Sequence, residues 1–302
     1  MRDLSTDLCG IRLQNPLLMA SGTFGFGEEF GELIDVSLLG GLCSKGLTLH
    51  PREGNCGPRM WETPAGMLNS VGLQNPGVRH FIEHELPLMR SLNPVAIANL
   101  GGSALEEYVE AAELLNDTGI SMLELNISCP NVKHGGAAFG QNSGVAAGVV
   151  SAVRKAFRGP LMVKLSPHAD DIADMARACE AAGADALSLI NTIKGMAIDL
   201  GSRKPVFRNT VAGLSGPCIR PIALRMVFEA AQAVKIPVVG LGGIASAGDV
   251  LEFVMAGATA VQIGTANFAN PAVSLEILEQ LPAAMDRFGI RALDEVRGAA
   301  WR

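Results

Sequence analysis

Cysteine pairs at C-x-x-C spacing are absent from this 302-residue sequence. A metal or iron–sulfur site built from this chain alone is therefore not expected, because such clusters need closely spaced thiolates. The start of the chain also lacks the apolar segment of a secretory signal. The cysteines are therefore expected to be reduced thiols of a cytoplasmic protein. They are scattered along the chain at Cys9, Cys43, Cys56, Cys129, Cys179 and Cys218.

Runs of lysine and arginine are likewise missing, and the formal net charge is -6 at pH 7. Nucleic-acid binding is not expected, because it requires a basic surface that neutralises phosphates, although a local cation can still hold a small anion. The longest uncharged stretch, residues 253–275, is interrupted by Gly, Asn, Gln and Pro, so no membrane helix is expected. The five histidines show no metal-ligand spacing, and no metal site is predicted.

Short apolar runs alternate with helix-type patterns from one end of the chain to the other. Eight runs are predicted as strands, over residues 16–20, 37–44, 95–100, 121–127, 161–165, 186–190, 237–240 and 260–263. They are continuously apolar rather than alternating, which is typical of parallel strands buried on both faces. Helices are predicted over residues 105–116, 170–182, 219–234, 246–255 and 273–288.

The order of these elements predicts an α/β protein with one domain over residues 1–302. Eight β/α units without an interrupting linker favour a closed (β/α)8 TIM barrel; the alternative is a doubly wound open sheet, which usually has fewer units. Residues 46–73 and 191–216 follow the second and sixth strands and are predicted to lack regular structure. On the carboxyl-terminal rim of a barrel, such long loops are typical of lids or binding segments.

Glycine pairs follow the last two predicted strands. Gly242-Gly243 comes after the seventh strand, and Gly264-Thr265 comes after the eighth. In barrels the loops after these strands commonly bind a phosphate, because glycine lets backbone N–H groups approach its oxygens. Either pair alone is better explained as an ordinary turn, but the two together favour a phosphate site.

Polar side chains recur at the predicted strand ends. Lys45 ends the second strand and Lys164 lies in the fifth. A lysine in a buried strand needs a partner, which is either an anionic or electron-rich ligand or an internal salt bridge. Converging asparagines suit an amide-like heterocycle, although each one alone can cap a turn. The asparagines are Asn69, Asn99, Asn126 and Asn191, with Thr192 beside the last.

Cys129 lies in the loop that follows the fourth predicted strand. A thiol has a reference pKa of ~8.5, so a modest change in environment makes it a usable base or nucleophile. The alternative is an inert, half-buried residue. Ser21 follows the first strand and either contacts a ligand or caps a helix. Cys56 and Cys218 fit no site and are predicted to be packing residues.

Three runs of the sequence resemble the class 1 dihydroorotate dehydrogenases, and within them the 1B type. They are SKGLT over residues 44–48, NSVGLQN over residues 69–75 and NISCPNVK over residues 126–133. The 1B type is indicated by NVKHGG over residues 131–136 and by Phe139-Gly140. The resemblance implies a (β/α)8 barrel that holds one FMN and oxidises dihydroorotate to orotate in pyrimidine biosynthesis.

The resemblance also implies a role for each matched residue. The FMN phosphate would lie on Gly216, Gly242, Gly243, Gly264 and Thr265, and the rest of FMN on Ser21, Lys45, Gly46, Asn99, Asn126, Lys164 and Ile190. Lys164 would lie at the pyrimidine end of the flavin. Lys45 would meet the substrate carboxylate, and the substrate ring would meet Asn69, Ser70, Val71, Gly72, Leu73, Asn126, Asn191 and Thr192. Cys129 would be the catalytic base that removes a proton from the ring, while the neighbouring carbon gives a hydride to FMN.

The 1B type implies NAD as the final electron acceptor, reached through a partner subunit with FAD and a [2Fe–2S] cluster. It further implies a homodimer core within a heterotetramer. The lack of cluster-spaced cysteines fits this arrangement, but it also fits a 1A enzyme with fumarate as acceptor. Two alternatives stay open at this point. One is a dihydropyrimidine dehydrogenase-type flavoenzyme, whose substrates lack a carboxylate for Lys45, and the other is a non-catalytic flavin-binding assembly subunit.

Overall fold

The computed structural model describes residues 2–128 and 139–301. Within these ranges, eight parallel strands close into a barrel, and each strand pairs with the next one in chain order. They are β1 Leu17–Met19, β2 Gly41–Cys43, β3 Val95–Leu100, β4 Met122–Asn126, β5 Leu161–Lys164, β6 Ala186–Leu189, β7 Val238–Leu241 and β8 Ala260–Ile263. The closed barrel confirms the predicted (β/α)8 fold and excludes the open sheet, because β8 pairs back onto β1.

The second predicted strand is the one that differs most from the structure. Residues Val36–Leu38 form a 3-10 helix, and β2 begins only at Gly41. The side chain of Asp35 accepts a hydrogen bond from the backbone N–H of Ser37 at 3.1 Å, which favours a helical turn at this point. The other predicted strands agree with the observed ones to within one residue at each end.

Helices surround the barrel. The longer ones are Leu105–Leu114, Ser143–Ala156, Ile172–Ala181, Arg220–Ala233, Ala247–Met255 and Val273–Arg287. A further segment runs through Val78–His80, a π-helical turn at Phe81–Glu85 and Leu86–Ser91. Shorter helices are Glu28–Gly31, Ala266–Ala269 and Leu293–Val296, with 3-10 turns at Pro217–Ile219 and Ala299–Trp301. The five predicted helices are confirmed to within two residues at each end, whereas the helix over residues 143–156 was not predicted.

Two glycines end helices that lead into barrel strands. Gly183 and Gly257 have φ angles of 101° and 117°, in the left-handed region that favours glycine. The residue after each one donates its N–H back into the last helical turn, Ala184 to Cys179 O at 3.1 Å and Ala258 to Phe253 O at 2.9 Å. Each glycine thereby directs the chain from a helix into the next barrel strand.

The amino-terminal end of the barrel interior is closed by apolar side chains. The hairpin formed by Thr6–Leu8 and Ile11–Leu13 places Leu8 and Leu13 against inward-facing residues of the strands. We call this cluster the interior plug; it comprises Leu8, Leu13, Leu18, Cys43, Ile97, Met122, Met162, Ala186, Val239 and Ala260. Among the described residues, the plug closes the amino-terminal end of the barrel and leaves the carboxyl-terminal end for a ligand.

The long segments over that end have regular structure, contrary to the prediction for residues 46–73 and 191–216. Met60–Thr63 and Gly66–Asn69 form a hairpin, and the later segment contributes Ile193–Gly195 and Ala212–Ser215. Together they form a four-stranded antiparallel sheet that joins the two segments, which we call the rim sheet. A small two-stranded ladder, Ile198–Asp199 with Lys204–Pro205, extends from the later segment. These strands have two to four residues each, too few for sequence periodicity to reveal.

The described helices do not combine the length and the apolar character that crossing a membrane would require.

Candidate active site

Polar side chains form a layer directly above the interior plug, at the carboxyl ends of the barrel strands. Side chains two residues apart on a strand point to the same face, so a residue two positions beyond a plug residue also points into the barrel. Five strands carry a buried polar residue at that position. We call these residues the mouth layer: Asn99, Glu124, Lys164, Ser188 and Gln262. Each of them is at most 4% exposed.

Glu124 is the centre of the mouth layer, and sequence reasoning did not find it. Its Oε1 accepts hydrogen bonds from Ser188 Oγ at 2.8 Å and Gln262 Nε2 at 2.7 Å. Its Oε2 accepts one from Asn99 Nδ2 at 2.5 Å. A signal was present in the sequence, because Glu124 interrupts an apolar strand just as Lys164 does, and a buried charge needs partners.

Lys164 has the internal partner that the sequence left as an alternative to a ligand. Its Nζ lies 3.9 Å from Glu124 Oε2, and both side chains are buried. This distance is within range of an ion pair but beyond that of a hydrogen bond. No hydrogen-bond acceptor for Nζ is found among residues 2–128 and 139–301, so the ammonium keeps its donors available at the barrel mouth.

Asn99 presents an unpaired acceptor in the same layer. Its Nδ2 is held by Glu124, whereas its buried Oδ1 has no hydrogen-bond partner in the described part of the chain. Gly46 lies beside this oxygen, since a Cβ on Gly46 would be 3.2 Å from it. Burying an unpaired carbonyl oxygen costs free energy, so a hydrogen bond donated by a ligand at this place would recover that cost.

Lys45 and Ser44 link β2 to this region. Ser44 Oγ accepts a hydrogen bond from the backbone N–H of Asn99 at 3.0 Å and donates one to Lys45 O at 2.9 Å. Lys45 itself is half-buried. No described carboxylate forms an ion pair with Lys45, which leaves its charge available to an anion.

Glycines on three loops form the candidate phosphate site. Gly242 and Gly243, after β7, have φ angles of 128° and 78°, so this turn requires glycine. A Cβ on Gly243 would lie 2.7 Å from Gly216 O, which shows how closely these two loops approach. Gly264, after β8, would have no neighbour nearer than Ala20 Cβ at 3.5 Å. The space beside the Cα of Gly264, next to Thr265, is therefore open.

Two further residues of the predicted site flank these loops. Ile190 follows β6, is buried, and donates its backbone N–H to Leu241 O at 2.9 Å. Ser21 lies in a turn after β1, and the next helix begins only at Glu28, so Ser21 does not cap a helix.

The predicted substrate loop follows the strand Gly66–Asn69. Asn69 Nδ2 donates to Gly213 O at 3.3 Å, across the rim sheet. Ser70 is 8% exposed, and Asn55 Nδ2 donates to both its carbonyl oxygen at 3.0 Å and its Oγ at 3.1 Å. Gly72 and Leu73 both have positive φ angles, 79° and 54°. The loop from Ser70 through Val71 to Leu73 is thus held in a defined, unusual backbone conformation.

A second polar cluster joins the ends of β4 and β6. Ser128 Oγ donates to Asn126 Oδ1 at 2.6 Å and accepts a hydrogen bond from Asn191 Nδ2. Asn191 Oδ1 in turn accepts the backbone N–H of Thr192 at 2.8 Å. Three predicted residues are therefore brought together, and Ser128, which was not predicted, connects them.

Cys129, the predicted base, lies outside the described residues. So does the 131–136 run that indicated the 1B type. The described part of that loop resumes at Phe139, whose ring lies edge-on to Tyr108 at 6.4 Å between centroids.

The prediction that Cys56 and Cys218 are packing residues is wrong, because both side chains are exposed. Cys56 lines a cavity of about 240 Å³ together with Gly54, Asn55, Pro58, Ser70, Arg208 and Asn209. Ser70 is the one predicted site residue on this lining, so the cavity borders the substrate loop and is distinct from the mouth layer.

The chain matches proteins of one family over almost its whole length. A family model described as dihydroorotate dehydrogenase matches residues 3–285. A protein of Petrotoga mobilis named dihydroorotate dehydrogenase B (NAD(+)), catalytic subunit, is 54% identical over 298 residues, 99% of each chain. Proteins with the same name from Bacteroides fragilis and Thermoanaerobacter pseudethanolicus are 51% and 52% identical, over 99% and 98% of each chain.

Proposed function

The chain belongs to the dihydroorotate dehydrogenase family, and on this premise we propose that it oxidises dihydroorotate to orotate in pyrimidine biosynthesis. The observation that carries the proposal is the buried mouth layer, which places a lysine ammonium and an unpaired asparagine oxygen at the open end of a barrel. A planar, polar ring system with an electron-accepting end is the kind of ligand that these groups suit. We take residues 1–302 as a single domain built around this site.

The residues at the barrel mouth fit FMN. Asn99 Oδ1 needs a donor, and the flavin ring carries one. Bound FMN supplies the chemistry of accepting a hydride from the substrate. Lys164 provides a fixed cation for the negative charge that accompanies the hydride. The other proposed contacts to the flavin and its chain are Ser21, Lys45, Gly46, Asn126 and Ile190. The proposed contacts to the phosphate are Gly216, Gly242, Gly243, Gly264 and Thr265.

The proposed substrate site lies between the mouth layer and the rim sheet. Lys45, which has no described ion-pair partner, binds the carboxylate of dihydroorotate. The amides of Asn69, Asn126 and Asn191, with Thr192, bind the ring, and so does the backbone of Ser70, Val71, Gly72 and Leu73. Ser128 fixes the Asn126 and Asn191 amides relative to each other. Cys129 removes the proton from the ring carbon next to the one that loses the hydride.

The electrons leave through another protein in this proposal. Three relatives carry the word NAD(+) and the words catalytic subunit in their names, which supports a partner subunit. We propose FAD and a [2Fe–2S] cluster in that partner, with two copies of this chain at the core of a heterotetramer. A cytoplasmic location agrees with the described cysteines, which form no disulfide among themselves.

A test of the proposal uses the purified chain without a partner. We expect a yellow protein with the absorbance of oxidised FMN, which dihydroorotate bleaches when oxygen is excluded. Dihydrouracil, which lacks the carboxylate, is the control for the dihydropyrimidine alternative and should bleach FMN far more slowly. A colourless protein, or FMN that stays oxidised in the presence of dihydroorotate, would contradict the proposal.

The role of Cys129 needs a separate variant. In Cys129→Ser we expect FMN to stay bound while dihydroorotate reduces it at least about 10²-fold more slowly at neutral pH, the usual size of a general-base contribution. Cys9→Ser is the matched control, because Cys9 lies in the amino-terminal hairpin turn at the closed end of the barrel. Equal single-turnover rates in both variants would exclude Cys129 as the base.

A further inference from the structure

Glu124 is a buried charge to which the proposed function gives no task. Its carboxylate is 0% exposed and lies in the barrel interior between the plug and the open end. It receives hydrogen bonds from β3, β6 and β8 and faces the ammonium of Lys164 on β5. Four of the eight strands thus direct a polar group at one carboxylate.

Stability alone is a poor explanation for this arrangement. Removing two charges from water costs several kcal/mol per ion by general estimates, and apolar residues of similar volume often replace a buried ion pair without loss. The interior plug shows that this barrel can fill the same cross-section with apolar side chains two residues earlier on each strand. The charges at the mouth therefore have another role.

The two carboxylate oxygens of Glu124 have different neighbours. Oε1 accepts hydrogen bonds from Ser188 Oγ and Gln262 Nε2, and neither side chain forms a hydrogen bond with a residue of the proposed site within residues 2–128 and 139–301. Oε2 accepts a hydrogen bond from Asn99 Nδ2 and lies 3.9 Å from Lys164 Nζ. Both of these residues are proposed to contact the flavin. Every hydrogen-bonded neighbour donates, so the group acts as an acceptor on both oxygens.

This geometry determines which end of the Asn99 amide faces the ligand. A carboxylate accepts hydrogen bonds and does not donate them, so it selects the NH₂ group of Asn99 and turns Oδ1 away from itself. That oxygen is the buried, unpaired atom beside Gly46. The same carboxylate holds Lys164 Nζ at 3.9 Å, too far to occupy its donors.

We propose that Glu124 is a positioning residue for the flavin, an inference that rests on the proposed function. It orients Asn99 as an acceptor, fixes the ammonium of Lys164, and offsets part of the positive charge that Lys164 brings to the flavin. Because a nearby negative charge opposes the arrival of electrons, Glu124 keeps the reduction potential of bound FMN lower than Lys164 alone would set it.

Glu124→Gln is the variant that tests this proposal, because it removes the charge and keeps the shape. The glutamine oxygen can still accept from Asn99, while its NH₂ can donate to Gln262, whose Oε1 has no partner among the described residues. We expect the midpoint potential of bound FMN, measured by spectroelectrochemistry, to rise. An expected tenfold change in the reduction equilibrium corresponds to about 30 mV for two electrons.

Glu180→Gln is the matched control, since it makes the same substitution elsewhere on the barrel. Glu180 Oε1 accepts the backbone N–H groups of Lys235 and Ile236, which precede β7 at its amino-terminal end. Its FMN potential should equal that of the wild type. If Glu124→Gln does not fold, Ser188→Ala decides the question. This variant keeps the charge of Glu124 but removes one hydrogen-bond donor to Oε1. The midpoint potential of bound FMN should fall, with a change of less than tenfold in the reduction equilibrium.

The outcomes distinguish a failure of the inference on Glu124 from a failure of the proposed function. A folded Glu124→Gln protein with a lower melting temperature but an unchanged FMN potential would show a purely structural role and overturn the inference. An unchanged potential in Ser188→Ala would do the same if the first variant does not fold. FMN that binds the wild type but is not bleached by dihydroorotate overturns the proposed function, and leaves the comparison of potentials valid. A wild type without FMN overturns both.

Discussion

The interior plug and the mouth layer occupy the same barrel, two residues apart on the same strands, yet they are chemically opposite. Ile97, Met122 and Met162 belong to the plug. Two positions later the same strands carry Asn99, Glu124 and Lys164. The backbone is continuous across both, so the difference comes from side-chain chemistry alone. The plug stabilises the fold by burying apolar side chains, whereas the mouth layer buries polar groups, which costs stability.

The plug also makes the mouth layer effective. Leu8 and Leu13, each less than 2% exposed, shield the mouth layer from water at the amino-terminal end of the barrel. Electrostatic interactions strengthen when water is excluded, so each charge in the layer acts more strongly on its neighbours and on a ligand. Substitutions in the plug and in the mouth layer should therefore differ in their effects on stability and on bound FMN.

The largest effect on stability is expected from Lys164→Ala, which breaks the mouth layer. It leaves Glu124 as a buried charge without an ionic partner, and removing one member of a buried pair typically costs about 3–5 kcal/mol. Urea unfolding of the FMN-free protein should measure this loss. The double variant Glu124→Gln, Lys164→Met should recover most of it, because neither charge remains. A loss below about 1 kcal/mol in the single variant would mean that the pair is not coupled.

Leu13→Ala breaks the plug, with an expected loss of about 3 kcal/mol in the free energy of unfolding, as for other fully buried leucines. Leu13 is 0% exposed. The FMN affinity and potential should stay unchanged, because the substitution lies at the closed end. Arg12→Ala, on the outer face of the same hairpin, is the control and should change stability by less than about 0.5 kcal/mol. A shifted FMN potential in Leu13→Ala would show that the two regions are not separable.

Gln262→Leu tests the difference between the two regions, because it gives one position of the mouth layer an apolar side chain like those of the plug. It removes one donor to Glu124, and a hydrogen bond to a charged group contributes about 2 kcal/mol. It also removes the unpaired Oε1, which offsets part of that loss. Thermal unfolding of the FMN-free protein should show the net decrease. A variant more stable than the wild type would mean that Glu124 does not depend on this donor.

The smallest effect concerns pH and arises where the two regions meet, at Cys43. Burial, and next the carboxylate of Glu124, raise the pKa of this thiol well above its usual value. The native thiol therefore stays protonated above pH 9, whereas the unfolded one ionises, so stability falls as pH rises. The contribution is about 1.4 kcal/mol for each pH unit above the unfolded pKa.

Cys43→Val is the test, because it keeps an apolar side chain and removes the proton. Its loss of stability between pH 9.5 and 10.5 should be smaller than that of the wild type by about 1.4 kcal/mol. Identical pH dependence in both proteins would mean that Cys43 is not buried in the native state.

Much of the barrel followed from the sequence because its strands and helices carry local signals. β3 and β8 were predicted at the observed bounds, since continuous apolar runs bounded by polar loops are unambiguous. The rim sheet was missed because its strands are short and pair between segments more than a hundred residues apart, as Asn69 does with Gly213. The hairpin at residues 6–13 escaped notice for the same reason of length.

The candidate site, like the fold, was predicted from the sequence only in part. The sequence by itself indicated candidate residues such as Lys164 and the Gly242-Gly243 pair, because a lysine in an apolar strand or a glycine pair after a strand is recognisable without a structure. Only the tertiary structure showed that Glu124 joins Asn99, Lys164, Ser188 and Gln262, and that Ser128 joins Asn126 to Asn191. Ser128 and Asn126 are two residues apart, whereas the hydrogen bonds from Ser188 and Gln262 to Glu124 and from Asn191 to Ser128 connect positions at least 63 residues apart. Only closure of the barrel brings those side chains within hydrogen-bond distance.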